Sequence, residues 1–183
     1  MGESRQTLQT WAISGNYGQS IMVLRVLFAC HGNICRSTMA QFVFQNMVNK
    51  VGYSSCFSID SVATSTEEIG NGPHIGTVRK MREVGVPVLP HKARQITWND
   101  YKSADLVIAM DRENIRNLNR MLKGDPDEKI TKLLSFSGLD RDIADPWYTG
   151  NFDATYDDIV LGCRDLLEYL KSEYPEMISQ ASD

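Results

Sequence analysis

The sequence predicts an α/β fold in which a parallel sheet is covered by helices on both faces. Short apolar runs rich in β-branched residues alternate with longer segments of helical periodicity, and no repeat, linker or low-complexity tract separates them. The 183 residues are enough for one domain with a real core, and 42% hydrophobic with 23% charged residues is the ordinary balance of a globular chain. Lys plus Arg number 19 against 23 Asp plus Glu, a net charge of −4 with the signs interspersed, which removes support for a nucleic-acid or polybasic membrane role.

Residues 1 to 21 are polar, mixed in sign and aperiodic. They are expected to be a leader, an expression remnant or a flexible extension, with Met22 able to serve as the start and residues 22–183 forming the domain. The apolar run Ile21 to Cys30 is interrupted by Arg25, is far too short for a membrane span and lacks the layout of a signal peptide, so a cytoplasmic protein is expected. Val23 to Ala29 suits a buried parallel strand. A Gly-containing loop, His31 to Cys35, follows. Ser37 then offers an N-cap, and Phe42, Val43, Met47, Val48 and Val51 recur at helical spacing until Gly52. A strand at Phe57 to Val62 comes next, then the loop Gly70-Asn71-Gly72-Pro73, which opens a helix running to about Glu83 and ended by Gly85 and Pro87. Leu106 to Met110 is expected as a strand, Asp111 to Met121 as a polar amphipathic helix, Ile130 to Phe136 as a weaker strand, and Ala154 to Lys171 as the closing helix.

Chemistry concentrates at the end of the first strand, in Cys30-His31-Gly32-Asn33-Ile34-Cys35-Arg36-Ser37. Five residues between Cys30 and Arg36 let the loop wrap so that successive backbone N–H groups point inward, and the helix that begins at once adds its positive N-terminal end. Such a ring fits a tetrahedral oxyanion held by the backbone of His31, Gly32, Asn33, Ile34, Cys35 and Arg36. The Arg36 guanidinium can pair two phosphate oxygens, and the same field favours the Cys30 thiolate, which can attack phosphorus in line. The bland alternative is a buried cysteine at a strand end beside a surface arginine. An alkoxide or phenoxide leaving group needs a proton, and Asp145-Pro146-Trp147-Tyr148 offers a carboxyl group on a stiff loop, with two rings able to wall in an aromatic leaving group. Read alone, that segment is equally an Asp-Pro turn; Asp111 is the next carboxylate to consider. Cys35 lies inside the loop, where its thiol could close on an oxidised Cys30 or simply fill core space. Cys56 and Cys163 sit in strand and helix patterns and read as structural. The gaps between the four cysteines, of four, twenty and 106 residues, match no zinc module, so no metal and no cofactor is implied.

These segments together resemble the low-molecular-weight protein tyrosine phosphatase family, especially its bacterial members. The resemblance runs from about Val26 to the last helix. It is carried by the stretch from Val26 to Ser37, by His91-Lys92-Ala93-Arg94-Gln95-Ile96-Thr97, by Ala109-Met110-Asp111 and by Asp145-Pro146-Trp147-Tyr148. It implies a doubly wound four-stranded parallel sheet and hydrolysis of phosphotyrosine and small aryl phosphates through a phosphocysteine. Cys30 would be the nucleophile, Arg36 the phosphate clamp, and Asp145 the general acid and then base. It further implies a hydrogen-bond network of Asn33, Ser37, Ser61 and His91 that shapes the cradle, with Ser37 supporting the thiolate, and it favours a redox role for Cys35. Without the resemblance, His91 reads as a surface loop residue.

The chain departs from the family at Thr38, where a proline commonly follows the Arg-Ser pair, at Val62, and at Glu67, which stands where mammalian-type members place an aromatic wall residue. Of the related activities, a thioredoxin-coupled arsenate reductase would need further cysteines between residues 85 and 125, where there are none. A protein arginine phosphatase resembles this cradle with threonine in place of Ile34. A non-catalytic phosphate-binding module would need neither Cys30 nor Asp145. No Gly-x4-Gly-Lys-[Ser/Thr] motif is present, which excludes a P-loop nucleotide hydrolase. The expected partners are phosphotyrosine-containing proteins or peptides, with no nucleic acid and no membrane, and the expected state is a monomer.

Overall fold

β1 (Leu24–Cys30) is the strand on which the molecule is organised, and every residue of it but Arg25 is buried. Successive side chains of a strand point to opposite sides. Leu24, Val26, Phe28 and Cys30 enter one core and Leu27 and Ala29 the other, which is why this run is continuously apolar rather than alternating. A computed structural model describes residues 22–176 and 179, and the expectation for residues 1–21 lies outside them. β1 pairs in parallel with β2 (Phe57–Ala63) on one side and with β3 (Leu106–Ala109) on the other, and β4 (Ile130–Lys132) lies outside β3. The order β2-β1-β3-β4 reverses direction between β1 and β3. In such sheets the crevice at the carboxyl ends of those two strands is the place where ligands bind.

α1 (Arg36–Lys50) and α6 (Phe152–Glu173) cover one face, with Met81 of α2 (Ile75–Glu83) in the same core. Phe28, Phe44 and Phe57 interlock there edge to face, with ring centroids 5.8 and 5.6 Å apart. On α6, a Cβ at Gly162 would fall 2.5 Å from Leu133 Cγ, so only glycine lets the helix pack this closely. The opposite face is covered by α3 (Trp98–Ser103) and α4 (Arg112–Met121), which contribute Tyr101 and Leu118 to the second core. The expected doubly wound sheet with helices on both faces is the observed one. Among the described residues, no helix is long and apolar enough to cross a membrane.

Two local expectations are corrected. The strand expected over Ile130 to Phe136 stops at Lys132, and Leu133–Ser137 form a 3-10 turn closed by Gly138 in the left-handed region at φ 72°. Leu133 and Leu134 both enter the same core, which a strand with side chains alternating between faces cannot arrange. Ser37 does not cap α1: Cys35 occupies that position without a side-chain bond, and the Ser37 hydroxyl is engaged elsewhere. Two short helices escape a periodicity reading. They are α3, held by a reciprocal Thr97 and Asp100 capping box, and α5 (Pro146–Thr149), a single turn capped by Asp145 with proline at its first position.

Candidate active site

The loop between β1 and α1 closes into a ring because Asn33 adopts φ 59°, a left-handed conformation that asparagine tolerates better than most residues. The Asn33 N–H donates to Cys30 Sγ at 3.3 Å, and Cys30 Sγ lies 3.0 Å from Ser37 Oγ. Asn33 Nδ2 donates to both Ser37 Oγ (2.8 Å) and Ser61 Oγ (2.9 Å), and the Ser61 hydroxyl donates onward to Gln41 Oε1 at 2.6 Å. Because Ser37 Oγ already accepts from Asn33, its own hydrogen is free to turn toward the sulfur once Cys30 is deprotonated. His91 reaches the cradle from behind. Its Nε2 donates to the Asn33 carbonyl at 2.8 Å, the same oxygen that accepts from Thr38 Oγ1 at 2.9 Å. Burial, with the Arg94 charge, lowers the His91 pKa against the opposing pull of the Asn33 carbonyl and Asp60.

Arg36 is buried, and three groups from two other loops hold it. Its Nη1 donates to Asp111 Oδ2 at 2.6 Å and to the Ile143 carbonyl at 2.9 Å, and Nη2 donates to Asp145 Oδ2 at 3.0 Å. Asp111 follows β3 and caps α4 through its other oxygen, so the reversal of strand order is what sets it beside the cradle. Burial opposes the guanidinium charge, but Cys30, Asp145 and Asp111 outweigh it and raise the Arg36 pKa above the ordinary value. Arg36 Nε is buried without a protein partner. Asp145 Oδ1 accepts from the Trp147 N–H at 3.1 Å, so α5 and its carboxylate are one unit. Burial, with the Cys30 and Asp145 charges, pushes the Cys35 thiol up to about 12, against the smaller influences of Arg36 and Thr77.

The open side is a cleft bounded by Cys30, His31, Gly32, Ile34, Cys35, Glu67, Glu68, Asp145, Trp147 and Tyr148. Trp147 and Tyr148 are exposed at its rim, and across from them Glu67 Oε2 lies 3.0 Å from His31 Nε2. The structure thus brings together Cys30, Arg36, Asp145, the loop residues, both rings and the Asn33–Ser37–Ser61–His91 group. Sequence reading did not find Gln41 or Arg94, and it held Asp111 only in reserve. Arg94 donates its backbone N–H to Asn33 Oδ1 at 3.2 Å while its guanidinium pairs with Asp60 and with both oxygens of Asp100. The stretch from His91 to Thr97 contained the only signal for it. Among the described residues, no group of three or more His, Cys, Asp or Glu side chains is arranged to hold a metal ion.

An oxyanion cradle at the switch point of a parallel sheet, with a cysteine on its floor, a buried arginine and a carboxylate at its edge, defines a cysteine-dependent phosphatase. The chain matches the model of the low molecular weight phosphotyrosine protein phosphatase family over residues 25–176, and it belongs to that family. It is 38% identical to the low molecular weight protein-tyrosine-phosphatase YfkJ of Bacillus subtilis over 154 residues, covering 82% of this chain and 98% of that one. The crystal structure of YfkJ superposes with a TM-score of 0.80 over 82% of this chain and 96% of its own. The human low molecular weight phosphotyrosine protein phosphatase is 39% identical over 148 residues, 78% of this chain and 93% of that one. The crystal structure of SP-PTP from Streptococcus pyogenes, at 36% identity, gives a TM-score of 0.75 over 84% and 98% of the two chains.

Proposed function

We propose that this chain hydrolyses phosphotyrosine in proteins or peptides, and small aryl phosphates, with Cys30, Arg36 and Asp145 as its catalytic residues. The observation that carries the reading is Arg36 itself, whose buried guanidinium is bonded to Asp145 at the end of a loop whose Asn33 N–H points at the Cys30 sulfur. The loop N–H groups and Arg36 hold the phosphate oxygens. The Cys30 thiolate attacks phosphorus, forming the P–S bond as the P–O bond to the phenol breaks, and the proton of Asp145 passes to the leaving oxygen. The Asp145 carboxylate then takes a proton from water, the water oxygen bonds to phosphorus, and the P–S bond returns its electron pair to Cys30. Asp111 keeps Arg36 aligned for an anion whose charge grows toward the transition state.

Trp147 and Tyr148 are suited to flank a phenyl ring, and Ile34 gives the cradle an apolar side that favours an aryl over a guanidino leaving group. Four cysteines in 183 residues are too sparse for a disulfide framework and support a reducing, cytoplasmic setting. The test is acid-quenched mass spectrometry with p-nitrophenyl phosphate, in which one phosphate is expected on Cys30. Cys30→Ser should lose turnover while still binding inorganic phosphate. Faster hydrolysis of phosphoarginine or phosphoserine peptides than of phosphotyrosine peptides would reject the substrate assignment, and full activity in Cys30→Ser would reject the mechanism.

A further inference from the structure

His74 lies outside the cradle and outside the acid loop, yet it touches both. Its backbone N–H donates to the carbonyl of Ile34 at 2.8 Å, and Thr77 Oγ1 adds a second bond to that oxygen at 3.3 Å. Its Nδ1 accepts from the Gly76 N–H at 3.0 Å and so caps α2. With the ring's edge pinned in this way, one face stacks on Phe152, with centroids 5.3 Å apart and planes 12° apart, while Trp147 meets it edge to face at 5.7 Å. Phe152 packs in turn against Ile34, Cys35 and Ala93 beneath the cradle. The stack is deliberate in the sequence. A Cβ on Gly76 would come 2.3 Å from the Phe152 ring, so the glycine makes room for it. Lys80, one turn further along α2, pairs with Asp153 at 2.8 Å and lies over Tyr156, fastening α2 to the start of α6.

Trp147 is more than half exposed, at 56%, so few other contacts fix its indole. Its backbone N–H is nevertheless one of the two donors that orient Asp145, holding Oδ1 while Arg36 Nη2 holds Oδ2. Resting on the phosphatase reading above, we propose that His74 is a positioning residue for Asp145: its ring, held against Phe152, fixes Trp147 and through it the carboxylate that protonates the leaving group. The edge of the cradle and the proton donor are thereby referenced to one ring, although they are 111 positions apart in the chain, from Ile34 to Asp145. A carboxyl group misplaced by a fraction of an ångström loses proton transfer before it loses phosphate binding.

The experiment compares His74→Asn, whose side-chain oxygen can still cap α2, with His74→Phe, which keeps a ring but no cap. Single-turnover phosphoenzyme formation is measured over aryl phosphates of graded phenol pKa, together with inhibition by inorganic phosphate. His74→Asn should slow phenyl phosphate by about 10-fold, spare dinitrophenyl phosphate, and leave phosphate inhibition within about 2-fold. His74→Phe should stay within about 2-fold of wild type across the series. Equal losses for every leaving group with weakened phosphate inhibition would assign His74 to cradle folding and overturn the proposal. So would a wild-type profile in His74→Asn, or a leaving-group dependence in His74→Phe as steep as in His74→Asn. If wild-type protein forms no phosphoenzyme with any aryl phosphate, the phosphatase reading itself fails.

Discussion

Replacing Asn33 by alanine tests the cradle at its most connected point. The Asn33 side chain is fully buried and makes three hydrogen bonds, to Ser37, to Ser61 and from the Arg94 amide. Truncation leaves the Arg94 N–H without its acceptor and Ser37 without its donor, while Ser61 keeps Gln41. A buried polar group left unpaired costs about 1–3 kcal/mol. The backbone adds strain, because alanine at φ 59° costs roughly 1–2 kcal/mol that asparagine partly avoids. The expected loss is therefore about 2–4 kcal/mol, a large share of the ~5–15 kcal/mol that stabilises a typical domain. At about 2–4 °C per kcal/mol for a chain of this size, Tm should fall by roughly 5–15 °C. Freed from Asn33, Ser37 no longer keeps its hydrogen for the sulfur, so kcat/KM on p-nitrophenyl phosphate should drop by about 10-fold or more in the protein that remains folded. Urea unfolding, thermal melts and steady-state kinetics at a temperature well below Tm measure all three. Asn33→Gly loses the same bonds without the strain and should recover about 0.5–1 kcal/mol relative to alanine. If Asn33→Ala unfolds within about 0.5 kcal/mol of wild type, the side chain is not bonded as described.

Arg36→Lys should reduce kcat/KM by about 10²-fold, since one ammonium cannot reproduce the bonds to Asp111, Ile143 and Asp145 and still grip phosphate; near-wild-type kinetics would show that guanidinium geometry is unused. Gly76→Ala should destabilise by about 1–3 kcal/mol in urea unfolding, because the Phe152 ring occupies the place of the new methyl group. His91 has a folded pKa below its ordinary 6.5, so between the two values the unfolded chain binds more protons and stability rises with pH. That contribution is complete above about pH 6.5 and is lost as pH falls toward the folded value, so His91→Gln should flatten the dependence of unfolding free energy on pH below about pH 6.5. Peroxide should convert the Cys30 thiolate to a sulfenic acid, which the Cys35 thiol displaces as a disulfide with release of water. Wild type should then recover fully on thiol reduction and Cys35→Ala should not, with equal recovery counting against the guard role.

The sequence by itself determined where the cradle lies, because its cysteine, its loop and its arginine are local, while the bonds from Ser61, His91 and Arg94 that hold Asn33 come from distant segments. Cys30, the loop and Arg36 occupy seven consecutive positions between a strand and a helix, and that spacing, with an asparagine able to turn left-handed at Asn33, is readable in the sequence. The strand, helix, strand alternation likewise dictated a parallel sheet, with the central strands β1 and β3 buried on both faces. Short elements escaped for the opposite reason. α3, α5 and the turn over Leu133–Ser137 have too few residues for a period to emerge, and tertiary burial of Leu133 and Leu134 ended the strand that their composition suggested. Only the tertiary structure decided what surrounds the arginine. Asp111, Ile143 and Asp145 converge on it from the ends of two other segments because the chain crosses from β2, past β1, to β3, and no spacing in one dimension encodes that crossing. The same holds for His74, whose contacts with Phe152 and Trp147 arise from α2 packing on the start of α6 and carry no local pattern in the sequence.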